Sequence, residues 1–253
     1  MSAVSEVLLQ TIKELQSLPS LSQFALAGGT NLAFRFNHRE SQDIDLFCPE
    51  IVGVKHLESI EKEVINFYGK KNVTGIEYPA DKESDQYSFF RFFVAIPTGE
   101  TIKVEIIQNM KMMDAVEVID NVRLVTLKDL GLFKLISGSS RAAKKDIYDL
   151  DFITEKISII ELFKVLKEKR VIYNKEEDKN IFDLDENKCP TQFPLELLNF
   201  DRNTKKRNSL KPMHSNDNII VADNGKSWIR TRMSWVSKIR QLYRSIDVKY
   251  PTY

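Results

Sequence analysis

The chain has 253 residues, 42% of them hydrophobic, and a net charge of +1, which suits one large domain or two modest ones, each with its own core. No apolar run approaches the roughly 18 residues of a membrane span, and the N-terminus lacks the basic start of a signal peptide. The two cysteines, Cys48 and Cys189, have neither a metal-binding spacing nor a disulfide pattern. We therefore expect a cytoplasmic protein with no membrane partner.

The pattern along the first half predicts an α/β fold. An amphipathic helix at the N-terminus precedes a buried strand over 24–27, and Thr30 is placed to cap a short following helix. A second strand is expected over 43–48 and a helix over 54–71. Three further strand candidates follow, and a turn at 97–100 would join the last two as a hairpin. These three candidates cover residues 72–79, 86–97 and 101–108.

From Thr126 onward the pattern is helical, with Thr-x-x-Asp and Ser-x-x-Glu caps at 126 and 158. A polar, acidic stretch over 173–190 has the composition of a linker, and a basic helix is expected over 227–246. The sequence thus predicts a mixed sheet with flanking helices in residues 1–124. A mostly helical C-terminal region would occupy residues 125–253.

Charge is unevenly distributed between the two ends. Residues 200–253 hold twelve Lys/Arg and four Asp/Glu, or +8, which leaves −7 for the rest. The segment is either a surface for a polyanion or an acidic partner, or a solvated basic face that balances the acidic body. If it docks RNA, reversing Lys205, Lys206 and Arg207 should weaken binding. Its aromatic residues are more typical of core packing than of base stacking; they are Trp228, Trp235 and Tyr243.

The most informative stretch joins a glycine pair to two aspartates. Gly28-Gly29 lies between a strand and a helix, where free backbone N–H groups favour phosphate. Asp43 and Asp45 are two apart on a predicted strand, so their carboxylates share one face. Paired carboxylates suit Mg²⁺, which takes its other oxygens from water and substrate phosphates. Glu105, on a neighbouring predicted strand, is the candidate third ligand. Together these features predict phosphoryl or nucleotidyl transfer.

The order Gly28-Gly29, thirteen residues, then Asp43-Ile44-Asp45-Leu46 resembles the signature of the DNA polymerase β-like nucleotidyltransferases. The fuller string over 26–47 is similar to the AbiEii/AbiGii toxin family of abortive-infection and toxin–antitoxin systems. A helical block with Lys134, then Lys145-Asp146-x-x-Asp149-Leu150, is similar to a second block of that family. The likeness covers about residues 24–155. The family's third carboxylate is commonly Asp, so Glu105 is a departure.

The resemblance implies a polymerase β-like core and Mg²⁺- or Mn²⁺-dependent transfer of a nucleoside monophosphate from an NTP to an acceptor hydroxyl. It implies an RNA acceptor such as tRNA, a cognate antitoxin, and a role in phage defence. Asp43, Asp45 and Glu105 would be the metal ligands.

The resemblance also implies a set of nucleotide contacts. Lys145 would act in catalysis, and Lys134 would either contact the triphosphate or extend its apolar stem along the helix surface with its ammonium in water. For several residues two roles stay open: His38 and Arg39 contact phosphate or brace the loop, Ser41 contacts nucleotide or holds the strand entrance, and Asp149 has a functional role or pairs with Lys145. Thr30 would face phosphate while capping its helix.

Two alternatives remain open at the level of sequence. The acceptor could be a small molecule or a protein side chain. The Glu105 departure also allows an NTP-binding regulatory module without turnover. The base of the NTP is not indicated, because base contacts come from variable loops.

Overall fold

The computed structural model describes residues 2–78, 85–96, 99–141, 143–183, 189–200 and 218–251. Within them, seven strands form one mixed sheet of order β3-β4-β5-β2-β1-β7-β6. The pairs β2–β5 and β1–β7 are parallel, and the others are antiparallel. The strands are β1 Ala25–Leu26, β2 Ile44–Phe47, β3 Val73–Glu77, β4 Phe89–Ala95, β5 Thr101–Ile107, β6 Glu117–Ile119 and β7 Val122–Leu124.

Seven α-helices accompany the sheet in the described residues. They are α1 Glu6–Ser17, α2 Gly28–Phe36, α3 Val54–Tyr68, α4 Leu127–Arg141, α5 Lys144–Ile153, α6 Ile159–Ile172 and α7 Trp228–Ser245. The predicted caps are present, since the Asp129 and Glu161 N–H groups donate to the Thr126 and Ser158 hydroxyls. These hydroxyls satisfy donors that have no partner inside the helix.

Each face of the sheet packs against its own helical layer. One face carries Ile44 and Leu46 of β2 in a core shared with α1 and α3. The opposite face carries Phe47 in a core shared with α4, α5, α6 and α7. Because side chains alternate along a strand, Asp45 must point to the same side as Phe47. The sheet therefore directs the Asp45 carboxylate towards the C-terminal helices.

The mixed sheet with flanking helices, five of its strands and all the predicted helices are confirmed. The prediction missed β6 and β7, which form a hairpin and attach to β1 through Leu124. The acidic stretch over 173–190 is not a plain linker. It contains the short 3₁₀ helices Glu176–Asp178 and Ile181–Asp183, and Ile181 is buried in the core.

The C-terminal helix α7 packs against the rest of the molecule. Trp235 and Tyr243 are buried in the core, and Trp228 packs at its edge. The core interpretation of these aromatic residues is therefore confirmed. The segment with Lys205, Lys206 and Arg207 lies outside the described residues, as do Asp185 and the turn residues 97 and 98.

Candidate active site

The glycine pair sits at the N-terminus of α2, directly beside β2. Gly28 has a backbone φ of +62°, a conformation that residues other than glycine rarely adopt. A Cβ built there would overlap the Oδ2 atom of Asp45, and one at Gly29 would overlap the Arg39 guanidinium. The two glycines thus allow a carboxylate and a guanidinium to approach the first turn of the helix. The first N–H groups of a helix lack intrahelical partners and favour anions.

Three carboxylates occupy one face of β2 and β5. Asp45 is paired in register with Glu105, and Asp43 lies just before the start of β2. Glu105 is 1% exposed. Its two oxygens accept hydrogen bonds from Arg91 Nε at 2.8 Å and from Lys103 Nζ at 3.1 Å. Lys103 Nζ also lies 3.4 Å from Asp43 Oδ2. Two cations thus offset part of the negative charge of the three carboxylates.

Asp45 is the carboxylate most affected by its surroundings. Burial raises its pKa, the negative charge of Glu105 raises it further, and together they bring the pKa to about 7 despite the opposing charge of Lys103. Like charges held this close disfavour ionisation unless a cation offsets them. Asp45 is therefore the position in the cluster where an added positive charge would be stabilised most.

The donor set fits a divalent ion held by the carboxylates of Asp43 and Asp45. Within the described ranges, no three Asp, Glu, His or Cys side chains are arranged to hold a metal together. Mg²⁺ often uses only one or two protein carboxylates and completes its shell with water and phosphate. Asp43 and Asp45 meet that requirement. The two Glu105 oxygens accept from Arg91 and Lys103, and each oxygen has a second lone pair with which a carboxylate can also bind a metal.

Behind the glycine pair, Asp149 lies at the centre of a buried charge network. Its carboxylate accepts two hydrogen bonds from Arg39, at 2.6 and 2.8 Å, and one from His38 Nε2 at 2.9 Å. Lys134 Nζ lies 2.8 Å from its other side. All four side chains are buried. Burial would raise the pKa of Asp149, but the charges of Arg39 and Lys134 and these hydrogen bonds outweigh it and hold the pKa well below its ordinary value.

The network extends to the opposite side of the site through Asp146. Lys134 Nζ donates to Asp146 at 2.8 Å, and Arg141 binds the same carboxylate through Nε and Nη2, at 2.5 and 2.8 Å. Three cations thus surround two buried carboxylates. The alternating charges join α4 and α5 to the loop that follows α2. Three cations and two carboxylates leave one net positive charge next to the glycine pair.

Two recesses meet at Gly29 and Asp45, which line both of them. The larger, about 600 Å³, is polar and contains Ser41, Asp43 and Lys145. The other, about 530 Å³, has an aromatic wall and the cations Lys103, Lys134 and Arg141. Phe47, Phe133 and Phe182 provide that aromatic wall. The arrangement offers one space on each side of the carboxylates.

Two sequence predictions about individual contacts are corrected. Thr30 does not cap α2, because the helix already begins at Gly28; its hydroxyl donates to the Asp43 carbonyl and lies 2.8 Å from the Ser41 hydroxyl. Thr30 and Ser41 therefore hold the entrance to β2. The partners of Asp149 are Arg39, His38 and Lys134, whereas its predicted partner Lys145 lines the polar recess.

Several residues of the site were missed. Lys103 alternates with Glu105 on β5, so the strand pattern places it on the same face, but no role in the site was assigned to it. Arg91 depends on the β4–β5 register, which pairs it with Glu105, and no local signal gives that register. Asp146 stands inside the quoted helical block but was not singled out. Phe182 comes from the stretch that was expected to be a linker.

A comparison with known protein families identifies the family of the chain. A family model described as "Nucleotidyl transferase AbiEii toxin, Type IV TA system" matches residues 13–217. The class of protein is therefore that of a nucleotidyltransferase. The chain belongs to the AbiEii toxin family of type IV toxin–antitoxin systems. Membership implies an NTP substrate and a cognate antitoxin for the family.

A solved structure with similarity to the chain is MenT4, a nucleotidyltransferase toxin from Mycobacterium tuberculosis H37Rv. The two share 14% identity with a TM-score of 0.41, over 93% of this chain and 92% of that one. No curated protein matches the chain. Among the described residues, none of the helices combines the length and apolar composition needed to cross a bilayer.

Proposed function

We propose that the chain transfers a nucleoside monophosphate from an NTP to an acceptor hydroxyl with release of pyrophosphate, using Mg²⁺ or Mn²⁺ held by Asp43 and Asp45. The observation that carries the proposal is the contact between the N-terminus of α2 and the carboxylate of Asp45, which the absence of a Cβ at Gly28 permits. It brings a phosphate-binding helix end and a metal-binding carboxylate to one point.

Each group of residues in the site would have its own role in this reaction. The N–H groups of Gly28 and Gly29 bind phosphate oxygens, and Lys134 and Lys145 supply positive charge from the two recesses. A bound divalent ion supplies neutralisation of the phosphates and activation of the attacking hydroxyl. Glu105 is the proposed third ligand, with its carboxylate oriented by Arg91 and Lys103. The catalytic assignments are thus Asp43, Asp45, Glu105 and Lys145.

The buried residues have a positioning role in this proposal. His38 and Asp149 are both completely buried, so they act on the nucleotide through Arg39 and Lys134, which reach the recesses. Thr30 and Ser41 fix the start of β2 and hence the direction of Asp43. We place the division between a nucleotidyltransferase core, residues 1–124, and a helical region, residues 125–253, that completes the site with Lys134, Lys145 and Asp149.

The proposed acceptor is RNA, tRNA in particular, and the proposed setting is the cytoplasm with a cognate antitoxin as partner. The positive charge of residues 200–253 supports an RNA partner. Within the described part of that segment, α7 exposes Arg230, Arg232, Arg240 and Arg244. A role in phage defence is proposed on the family resemblance.

The test is incubation of the purified chain with each α-³²P-labelled NTP, Mg²⁺ and total tRNA, followed by separation of RNA, protein and small molecules. Label in tRNA supports the proposal. Label in protein or in a small molecule would keep the chemistry and overturn the acceptor. NTP binding without transfer, unchanged in Asp45→Asn, would overturn both the reaction and the role of Asp43 and Asp45.

A further inference from the structure

A third recess, about 480 Å³, lies next to the two recesses of the candidate active site. Phe133 and Phe182 line both this recess and the aromatic recess that contains Asp45 and Lys134. The two spaces therefore share a wall. This recess is lined by α4, α6, the 173–183 stretch and Lys111, which all lie outside the sheet.

Lys169, on α6, is the unusual residue of this recess. It is 7% exposed, yet its Nζ has no hydrogen-bond partner in the described structure. The ammonium lies 4.1 Å from the Phe133 ring centre and 3.9 Å from Asp129 Oδ1. Asp129 already accepts closer bonds from the Met113 and Asp114 N–H groups. Asp129 and the Phe133 ring offset the charge of Lys169, but its N–H donors have no acceptor at hydrogen-bond distance, which is costly for a buried group.

The lining of the recess indicates what would complete Lys169. Arg170 is paired with Asp183 at 3.0 Å, Asp178 provides a further carboxylate, and Lys111 provides a further cation. In this mixed lining phosphate would be repelled by Asp178 and Asp183, whereas a neutral, flat group with acceptor oxygens would not be. Burial lowers the pKa of Lys169 to about 8, despite the charge of Asp129, so the amine keeps its proton at neutral pH. Its donors are then available to such an acceptor.

We propose that this recess holds the nucleobase of the NTP and that Lys169 donates a hydrogen bond to an exocyclic carbonyl of that base. The proposal rests on the proposed NTP substrate and extends it to base selection. Cytosine, uracil and guanine carry such a carbonyl, and adenine does not. Lys169 should therefore favour CTP, UTP and GTP as a group over ATP.

The test is equilibrium binding of ATP, CTP, GTP and UTP to the full chain by calorimetry, with Mg²⁺ present. The variant is Lys169→Met, which keeps the apolar stem, and Lys164→Met is a matched control because Lys164 is exposed on the same helix. Wild type should bind at least one carbonyl-bearing nucleotide about tenfold or more tightly than ATP. Lys169→Met should remove about 10- to 100-fold of that preference, the worth of one charge-assisted hydrogen bond. Lys164→Met should leave it unchanged.

Base preference is a readout that a purely structural lysine would not move. If folded Lys169→Met keeps the wild-type preference, or if wild type prefers ATP, the proposal is overturned. If Lys169→Met does not fold, Phe182→Ala replaces it, and undiminished NTP affinity in Phe182→Ala would equally overturn the proposal. Selective binding without transfer would contradict the proposed function and leave this inference standing. Transfer with a base preference unaffected by Lys169→Met would support the proposed function and overturn this inference.

Discussion

Asp149→Asn should be the most destabilising conservative substitution in the site. It removes one negative charge from between two buried cations, Arg39 and Lys134, while keeping nearly the same volume. Breaking a buried pair by removing one partner costs about 3–5 kcal/mol, because the remaining charge is left uncompensated. For a chain of this size each kcal/mol corresponds to about 2–4 °C. We therefore expect the unfolding midpoint to fall by about 6–20 °C.

The assay is thermal unfolding at pH 7, followed by circular dichroism. Asp183→Asn is the matched control, because its ion pair with Arg170 at 3.0 Å is partly exposed. Such pairs contribute about 0–1 kcal/mol, so the midpoint of this control should fall by no more than about 4 °C. If Asp149→Asn unfolds within 2 °C of wild type, the buried network does not stabilise the site in the way argued above.

Three further predictions concern glycine geometry, pH and RNA. Gly28→Ala should reduce transfer by about 100-fold or more, by analogy with the loss of a positioned transition-state donor. Gly69 also has a positive φ but has open space around it, so Gly69→Ala should lose only stability. Equal transfer rates in the two variants would contradict the role of Gly28. Burial lowers the pKa of His38, so the unfolded chain takes up this proton first and stability should decrease as pH falls below about 6.5. Urea midpoints between pH 5 and 7.5 should show a slope that His38→Asn flattens; an identical slope would refute the assignment. Arg230→Gln with Arg244→Gln should weaken tRNA binding and lower the salt slope by about one per lost phosphate contact; an unchanged slope in a filter-binding titration would remove α7 from the docking surface.

The face of the sheet that carries the proposed metal ligands was predictable from the alternation of strand residues. The patterns around Asp43, Asp45 and Glu105 place all three carboxylates on one side of adjacent strands, and the register confirms the Asp45–Glu105 pair. The neutralisation of Glu105 by Arg91 was not predictable. It depends on which residue of β4 lies opposite, a property of strand register that short sequence patterns do not encode.

Other parts were missed because their signals are short or come from distant segments. The β6–β7 hairpin has only three residues per strand, but Asp120 and Asn121 both have positive φ, +50° and +63°, which is typical of a two-residue hairpin turn. Asp and Asn are among the residues that adopt such φ values most readily, so the Asp120-Asn121 pair was a turn signal available in the sequence. The contact between Lys169 and Phe133 joins two helices through tertiary packing, and no periodicity predicts it.

In the proposed reaction, nucleotidyl transfer depends on Asp43 and Asp45. The most direct measurement is the initial rate of α-³²P incorporation into tRNA by Asp45→Asn and by wild type, at equal concentrations of folded protein and saturating Mg²⁺. Removing a carboxylate that binds both metal and phosphates should lower the rate by at least about 10³-fold, or about 4 kcal/mol of transition-state stabilisation. A folded Asp45→Asn that transfers label at the wild-type rate would contradict the account.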